Sequence, residues 1–179
     1  MIPEAPMDET ETGRVATGDG WFVLNAKDAR WYHAEGRPAL CNLEGETFFP
    51  QVGINIVVLG PGQPMAMYHW EADQEDFLVL AGECVLLVNG EERPLRTWDF
   101  VHSPAGTEHV IVGAGDGPSI VIAVGTRPKQ EQLLYPKSEL AEKYGASAEA
   151  DTPHPEEAYA RFNRPQPGRP DYWDLLPWA

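Results

Sequence analysis

Between about residues 21 and 127 the chain advances in short apolar runs, each closed by turn-forming residues. The runs are WFVL, INIVVL, MAMYHW, DFLVLAG, ECVLLVNG, DFVHS, EHVIVG and SIVIAVG. They are rich in β-branched and aromatic residues and too short for globular helices, so they read as strands. Val88, Asn89, Gly90 and Glu91 give a strong hairpin signal, because Asn-Gly accepts the positive φ values of a type I′ turn. Many short strands at this spacing specify an all-β sandwich or barrel. The longest apolar stretch, residues 110–125, is interrupted by Gly113, Gly115, Asp116, Gly117 and Pro118. It therefore reads as two strands joined by a hairpin turn and not as a membrane span.

The flanks differ in character. Residues 1–20 are polar and acidic, with Pro3, Pro6, Gly13, Gly18 and Gly20, and are expected to form a flexible leader with no secretory h-region. Residues 21–127 are expected to hold the barrel and residues 128–179 a largely irregular C-terminal extension. Within the extension, Ser138 can cap a short helix running to Tyr144 and ended by Gly145. Pro155 can open a second one over residues 156–162. The close, DYWDLLPW, is too aromatic to be left in water and is expected to pack on the barrel or on a partner subunit.

The chain's 179 residues allow one domain with a sizeable core. Thirteen Lys and Arg against 28 Asp and Glu give a net charge of −15. That excess argues against a nucleic-acid surface or an anionic membrane as partner. Cys41 and Cys84 match no metal spacing and are expected as buried free thiols of a cytoplasmic protein.

The chemistry lies between Gly62 and Gly113. His69 and Glu71, two apart, share one face of a strand. Glu75, after a short turn made by Asp73 and Gln74, can enter the next strand on the same inner face. His109 follows a Pro104-x-Gly106 turn that opens another strand. A lone histidine or glutamate in such a place is more often hydrogen-bonded or solvated than a ligand; the joint spacing carries the reading. Two imidazoles and one or two carboxylates converging inside a barrel suit a divalent ion of the Zn, Mn, Fe, Co or Ni group. His102 is expected to make a structural hydrogen bond, and His33 and His154 to lie at the surface. Met65, Met67, Phe77 and Trp98 are candidates for a pocket wall or for plain core, and Asn55 for a polar handle in the cavity.

The two clusters, Gly62, His69, Glu75 and Gly82, then Asp99, Pro104, Gly106 and His109, resemble the paired motifs of the cupin superfamily. The likeness is to a small single-domain cupin of the conserved-barrel, type 2 kind. The pattern is departed from in four ways: Glu71 replaces a His, one extra residue precedes His69, Trp98 replaces a Gly, and Gly113 replaces an Asn. The resemblance implies a double-stranded β-helix (jelly-roll) barrel with short helices, commonly a homodimer. It implies one divalent ion on His69, Glu71, Glu75 and His109. Glu71 stands where the family's second histidine would be. It either ligates, or serves as an unligated acid/base beside a three-ligand ion, or marks a site that works without metal. The expected function is a metal-dependent enzyme acting on a small polar or oxygenated metabolite, of dioxygenase, isomerase or lyase type. The alternative is a non-catalytic small-molecule binding or sensor module.

Overall fold

The computed structural model describes residues 1–127 and 132–178. Its strands are β1 (Met7–Thr10), β2 (Gly13–Ala16), β3 (Trp31–His33), β4 (Ala39–Asn42), β5 (Val52–Leu59), β6 (Trp70–Glu71), β7 (Glu75–Ala81), β8 (Glu83–Val88), β9 (Glu91–Arg96), β10 (Phe100–Ser103), β11 (His109–Ala114), β12 (Ser119–Thr126), β13 (Leu133–Leu134) and β14 (Gln166–Pro167). Two one-turn helices follow the barrel, α1 (Glu139–Glu142) and α2 (Pro155–Ala158). The larger antiparallel sheet runs β10-β7-β12-β5-β4-β3-β14 and the smaller β11-β8-β9. This is the all-β jelly-roll architecture of a double-stranded β-helix.

The two sheets enclose one core. Val57, Leu59, Phe77, Val79, Val101, Val121 and Ala123 come from the larger sheet, and Cys84, Leu86 and Ile111 from the smaller. Residues paired directly across antiparallel strands share a face, so the interior is built in rungs. Val57 pairs with Val121, which pairs with Val79. One step towards the mouth, Asn55, Ala123, Phe77 and Val101 line up. The next rung is Gly53, Gly125, Glu75 and Ser103. Side chains thus shrink along β5, β12 and β10 and turn polar at Glu75 and Ser103, and the packed floor gives way to an open, chemically equipped mouth.

The Asn-Gly turn forms as expected: Asn89 and Gly90 have φ of 47° and 80°, and Val88 pairs with Glu91. The hairpin expected within residues 110–125 does not. β11 pairs with β8, whereas β12 pairs with β5 and β7. Both strands are apolar on both faces, so each is fully covered only when it completes a different sheet. The turn between them carries the chain across the barrel.

Residues 1–20, expected as a flexible leader, contain the β1–β2 hairpin instead. Ala5, Val15 and Ala16 are buried. The hairpin is tied down by Arg14 N–H to Asp28 O (2.7 Å) and Glu46 N–H to Ala16 O (3.0 Å). The small apolar face of Val15 and Ala16 was outweighed by the acidic composition around it.

The outer face of the larger sheet buries Trp31, Cys41, Val58 and Ile120 beneath Leu176, Tyr172, Trp173 and Trp178. Trp31 meets Trp173 edge-on at 6.1 Å and Trp178 at 5.8 Å. The outer face of the smaller sheet buries Tyr68, Leu87, Val110 and Val112 against Ala141 and Ala146 around α1. Ser138 caps α1 by accepting the Ala141 N–H. Both helices are shorter than expected. Gly145 (φ 67°) turns the chain after α1, and α2 stops before Tyr159, whose hydroxyl turns in to accept the Met67 N–H at 3.0 Å. Cys41 and Cys84 are buried free thiols.

Candidate metal centre

Residues 64–69 run along the free edge of β11. Met65 N–H bonds Ile111 O, and His69 and His109 exchange two backbone hydrogen bonds (His69 N–H to His109 O 3.2 Å, His109 N–H to His69 O 2.8 Å). The Pro104–Gly106 turn that delivers His109 needs a left-handed residue, and Gly106 supplies it with φ 79°. Its N–H also bonds Glu71 O at 2.7 Å, which ties the two clusters together. Glu75 opens β7 on the mouth rung.

The ligand atoms offered by His69, Glu75 and His109 all lie within 4.8 Å of one another. Glu75 Oε2 is 3.1 Å from His109 Nε2 and 3.4 Å from His69 Nε2. His69 Nδ1 lies 2.8 Å from Met67 O, and His109 Nδ1 2.9 Å from Thr107 O. A carbonyl oxygen only accepts, so each Nδ1 donates and each ring turns its Nε2 inward. This is the tautomer and orientation that metal-binding histidines need. Glu75 Oε2 and His109 Nε2 are buried with no partner outside this cluster, an arrangement that a bound cation would satisfy. The donor set fits a divalent ion.

Without an ion the same groups interact with one another. Burial alone would lower the pKa of His69; hydrogen bonds with Glu71 and Glu75, and their charges, outweigh it and push the value up to about 9. Burial likewise disfavours the Glu75 carboxylate. Hydrogen bonds from His109 and His69, with their positive charge, hold it down to about 2.

Glu71 lies at the rim. Its Oε1 is 3.6 Å from His69 Nε2, and its side chain keeps 32% of its exposure against 18% for Glu75. It does not join the compact three-residue group. His102, exposed on β10, pairs with Asp76 at 2.7 Å and faces away from the centre. Asp73 accepts a hydrogen bond from Thr126, and Gln74 donates to Asp76. His33 pairs with Gln166 across β3–β14, and His154 stands before α2; neither approaches the site.

Phe77 packs against the His109 ring at 5.3 Å. Met67 is buried among Tyr135, Ala148 and Ala158, and Met65 packs on the main core. Trp98 is no pocket wall: it is 72% exposed and holds φ 74°, the backbone conformation of the glycine it replaces. Two aromatic residues absent from the sequence reading complete the surroundings. The Tyr135 ring lies 5.6 Å from His69, and Tyr159 meets Tyr135 edge-on at 5.7 Å. They come from the irregular extension, where no periodicity signals a role. Asn55 and Glu75 line a cavity of about 280 Å³ with Gly53, Gly125 and Arg127. Among the described residues, no helix is long and apolar enough to cross a membrane.

No curated protein matches the chain. Among solved structures, a sugar phosphate isomerase from Silicibacter pomeroyi DSS-3 is 29% identical, with TM-score 0.52 over 59% of this chain and 68% of that one. A structure from Acidithiobacillus ferrooxidans is 26% identical over 46% of this chain, with TM-score 0.45; this chain spans only 55% of its length. A predicted oxalate decarboxylase from Thermotoga maritima is similar in fold, with 18% identity and TM-score 0.52 over 60% of this chain and 100% of that one. Residues 55–125 match the Cupin domain family, the segment that supplies both histidines, both glutamates and the rungs beneath them, and the chain carries a cupin-superfamily domain.

Proposed function

We propose that the chain is a metal-dependent enzyme acting on a small polar or oxygenated metabolite, with one divalent ion on His69, Glu75 and His109. The observation that carries this reading is the convergence of two inward Nε2 atoms on Glu75 Oε2, two of the three atoms being buried with no other partner. A bound divalent ion would polarise a carbonyl or hydroxyl oxygen of the substrate. Phe77 and Tyr135 pack against the two imidazoles and keep water from their sides. Glu71, at the rim and outside the compact group, takes a proton from the substrate and returns it. Of the three roles open to Glu71, its position favours the unligated acid/base. A proton moved between neighbouring carbons is the chemistry of an isomerase, and the likeness to a sugar phosphate isomerase agrees with it.

One observation favours a second reading. The His69–Glu75–His109 contacts of 3.1 and 3.4 Å form an ion-paired network without any metal, which suits a metal-free small-molecule binding module. Elemental analysis of the purified chain separates the two. One divalent ion per chain is expected. A chain that stays metal-free after incubation with Mn²⁺, Fe²⁺, Co²⁺, Ni²⁺ and Zn²⁺ would leave the binding module in its place.

A further inference from the structure

The mouth rung places two residues without side chains, Gly53 and Gly125, in direct register with Glu75. The space they leave is the cavity of about 280 Å³ beside the candidate ligands. That is the low end for a ligand pocket and suits a small metabolite. Across the space vacated at Gly53 lies Arg127: a Cβ there would stand 3.0 Å from its Nη2 and 3.4 Å from its Cζ.

Arg127 is held on three sides. Its N–H bonds Gln51 O at 3.0 Å. Its Nη2 donates to Glu44 Oε2 at 2.5 Å, and its guanidinium stacks on Phe48 at 4.9 Å. Glu44 is itself fixed: it is 2% exposed, and its Oε1 accepts the Phe49 N–H at 2.8 Å. Glu44 is therefore a positioning residue. Among the described residues the other guanidinium N–H groups have no protein partner, so a preformed donor edge borders the cavity. The cavity's acid, Glu75, is the one that a metal ion would neutralise.

We infer that this cavity takes a small metabolite by an anionic head group, a carboxylate or a phosphate, on Arg127, while an oxygen of the same molecule reaches the ion on His69, Glu75 and His109. Only the second contact rests on the metal reading. Arginine's planar fork suits either anion, and Glu44 with Phe48 holds the fork in place before the ligand arrives, which lowers the entropic cost of binding.

The test is calorimetric titration of the Co²⁺-loaded chain with inorganic phosphate and, separately, with malonate. Saturable binding of at least one is expected; phosphate alone points to a phosphorylated metabolite and malonate alone to a carboxylic acid. Arg127→Lys should weaken it at least tenfold. Because Arg127→Met would strand the buried Glu44 carboxylate, the second variant is Glu44→Gln with Arg127→Met. It should abolish binding while cobalt content and melting temperature stay near those of the parent. Equal anion affinity in the parent and both variants, or no binding of either anion by the parent, would overturn the inference. If the chain takes up no cobalt but anion binding still falls with the Arg127 variants, the metal reading fails and the anion site stands.

Discussion

His69 and His109 are joined by a reciprocal pair of backbone hydrogen bonds, and each Nδ1 donates to the carbonyl two residues before it. The two rings are oriented by the same local device on two segments forty residues apart. Their alignment therefore belongs to the main chain and does not depend on an ion. His109→Ala leaves that main-chain pairing intact. It should lower affinity for the divalent ion at least a hundredfold while the barrel keeps its circular dichroism spectrum. Elemental analysis after dialysis checks this, and full metal retention would refute the assignment of His109.

The metal-free protein should show two pH limits. His69 is raised from 6.5 to about 9, so its contribution to stability is complete below pH 6.5 and is lost as pH climbs through about 9. Glu75 is lowered from 4.5 to about 2, so its contribution is complete above pH 4.5 and is lost as pH falls through about 2. An ion must displace the His69 proton at neutral pH, so its affinity should rise by about tenfold per pH unit up to about pH 9. Calorimetry in two buffers of different ionisation enthalpy should report about one proton released per ion bound.

Glu71→Gln separates holding the ion from moving a proton. Metal content should remain at one per chain, because the compact group does not include Glu71. Turnover, once a substrate is in hand, should fall by about 10²–10⁴. Loss of the ion in this variant would make Glu71 a ligand instead.

Trp98 occupies a left-handed backbone position that its exposed ring does nothing to support. Its N–H bonds Val79 O at 2.7 Å, so the turn itself is fixed. Trp98→Gly should relieve about 1 kcal/mol of backbone strain, which raises the melting temperature by roughly 2–4 °C. A differential scanning measurement that showed no rise would mean that the ring has contacts in a larger assembly.

Deleting residues 165–179 should uncover Trp31, which is 1% exposed, together with Val58 and Ile120. Removing the cover from two or three large side chains costs about 3–8 kcal/mol. The truncated chain should melt well below the parent and bind a hydrophobic dye. The centre at the opposite end of the β5 and β12 strands should still take up metal if any folded fraction remains.

Strands β5, β7, β8, β10, β11 and β12 and the His69, Glu75 and His109 cluster were legible because their signals are local: β-branched runs between turns, and imidazoles and a carboxylate at strand spacing. Asn89 and Gly90 marked their turn for the same reason. The run WFVL, expected as a strand, forms none, only Trp70 of MAMYHW joins one, and the short or polar β3, β4 and β9 carry no such run. The sheet exchange between β11 and β12 was hidden, because two apolar strands joined by glycines look alike whether they pair with each other or with distant partners. Tyr135 and Tyr159 were hidden in a segment with no period. Arg127 reads as an ordinary strand-end cation until Gly53, seventy-four positions earlier, is seen to make room for it. The β1–β2 hairpin was masked by its acidic content, which reports solubility and not backbone pairing.

The aromatic cover over Trp31 also sets an order of events during synthesis. Strands β3, β4, β5 and β12 can pair as soon as they leave the ribosome, yet the apolar outer face they create stays bare until residues 172–178 emerge. A nascent chain stalled anywhere in the extension would present a finished barrel wall with one sticky side. Chaperone engagement with the nascent chain should therefore persist until residues 172–178 have left the ribosome, and end when Leu176 and the two tryptophans beside it dock on Trp31.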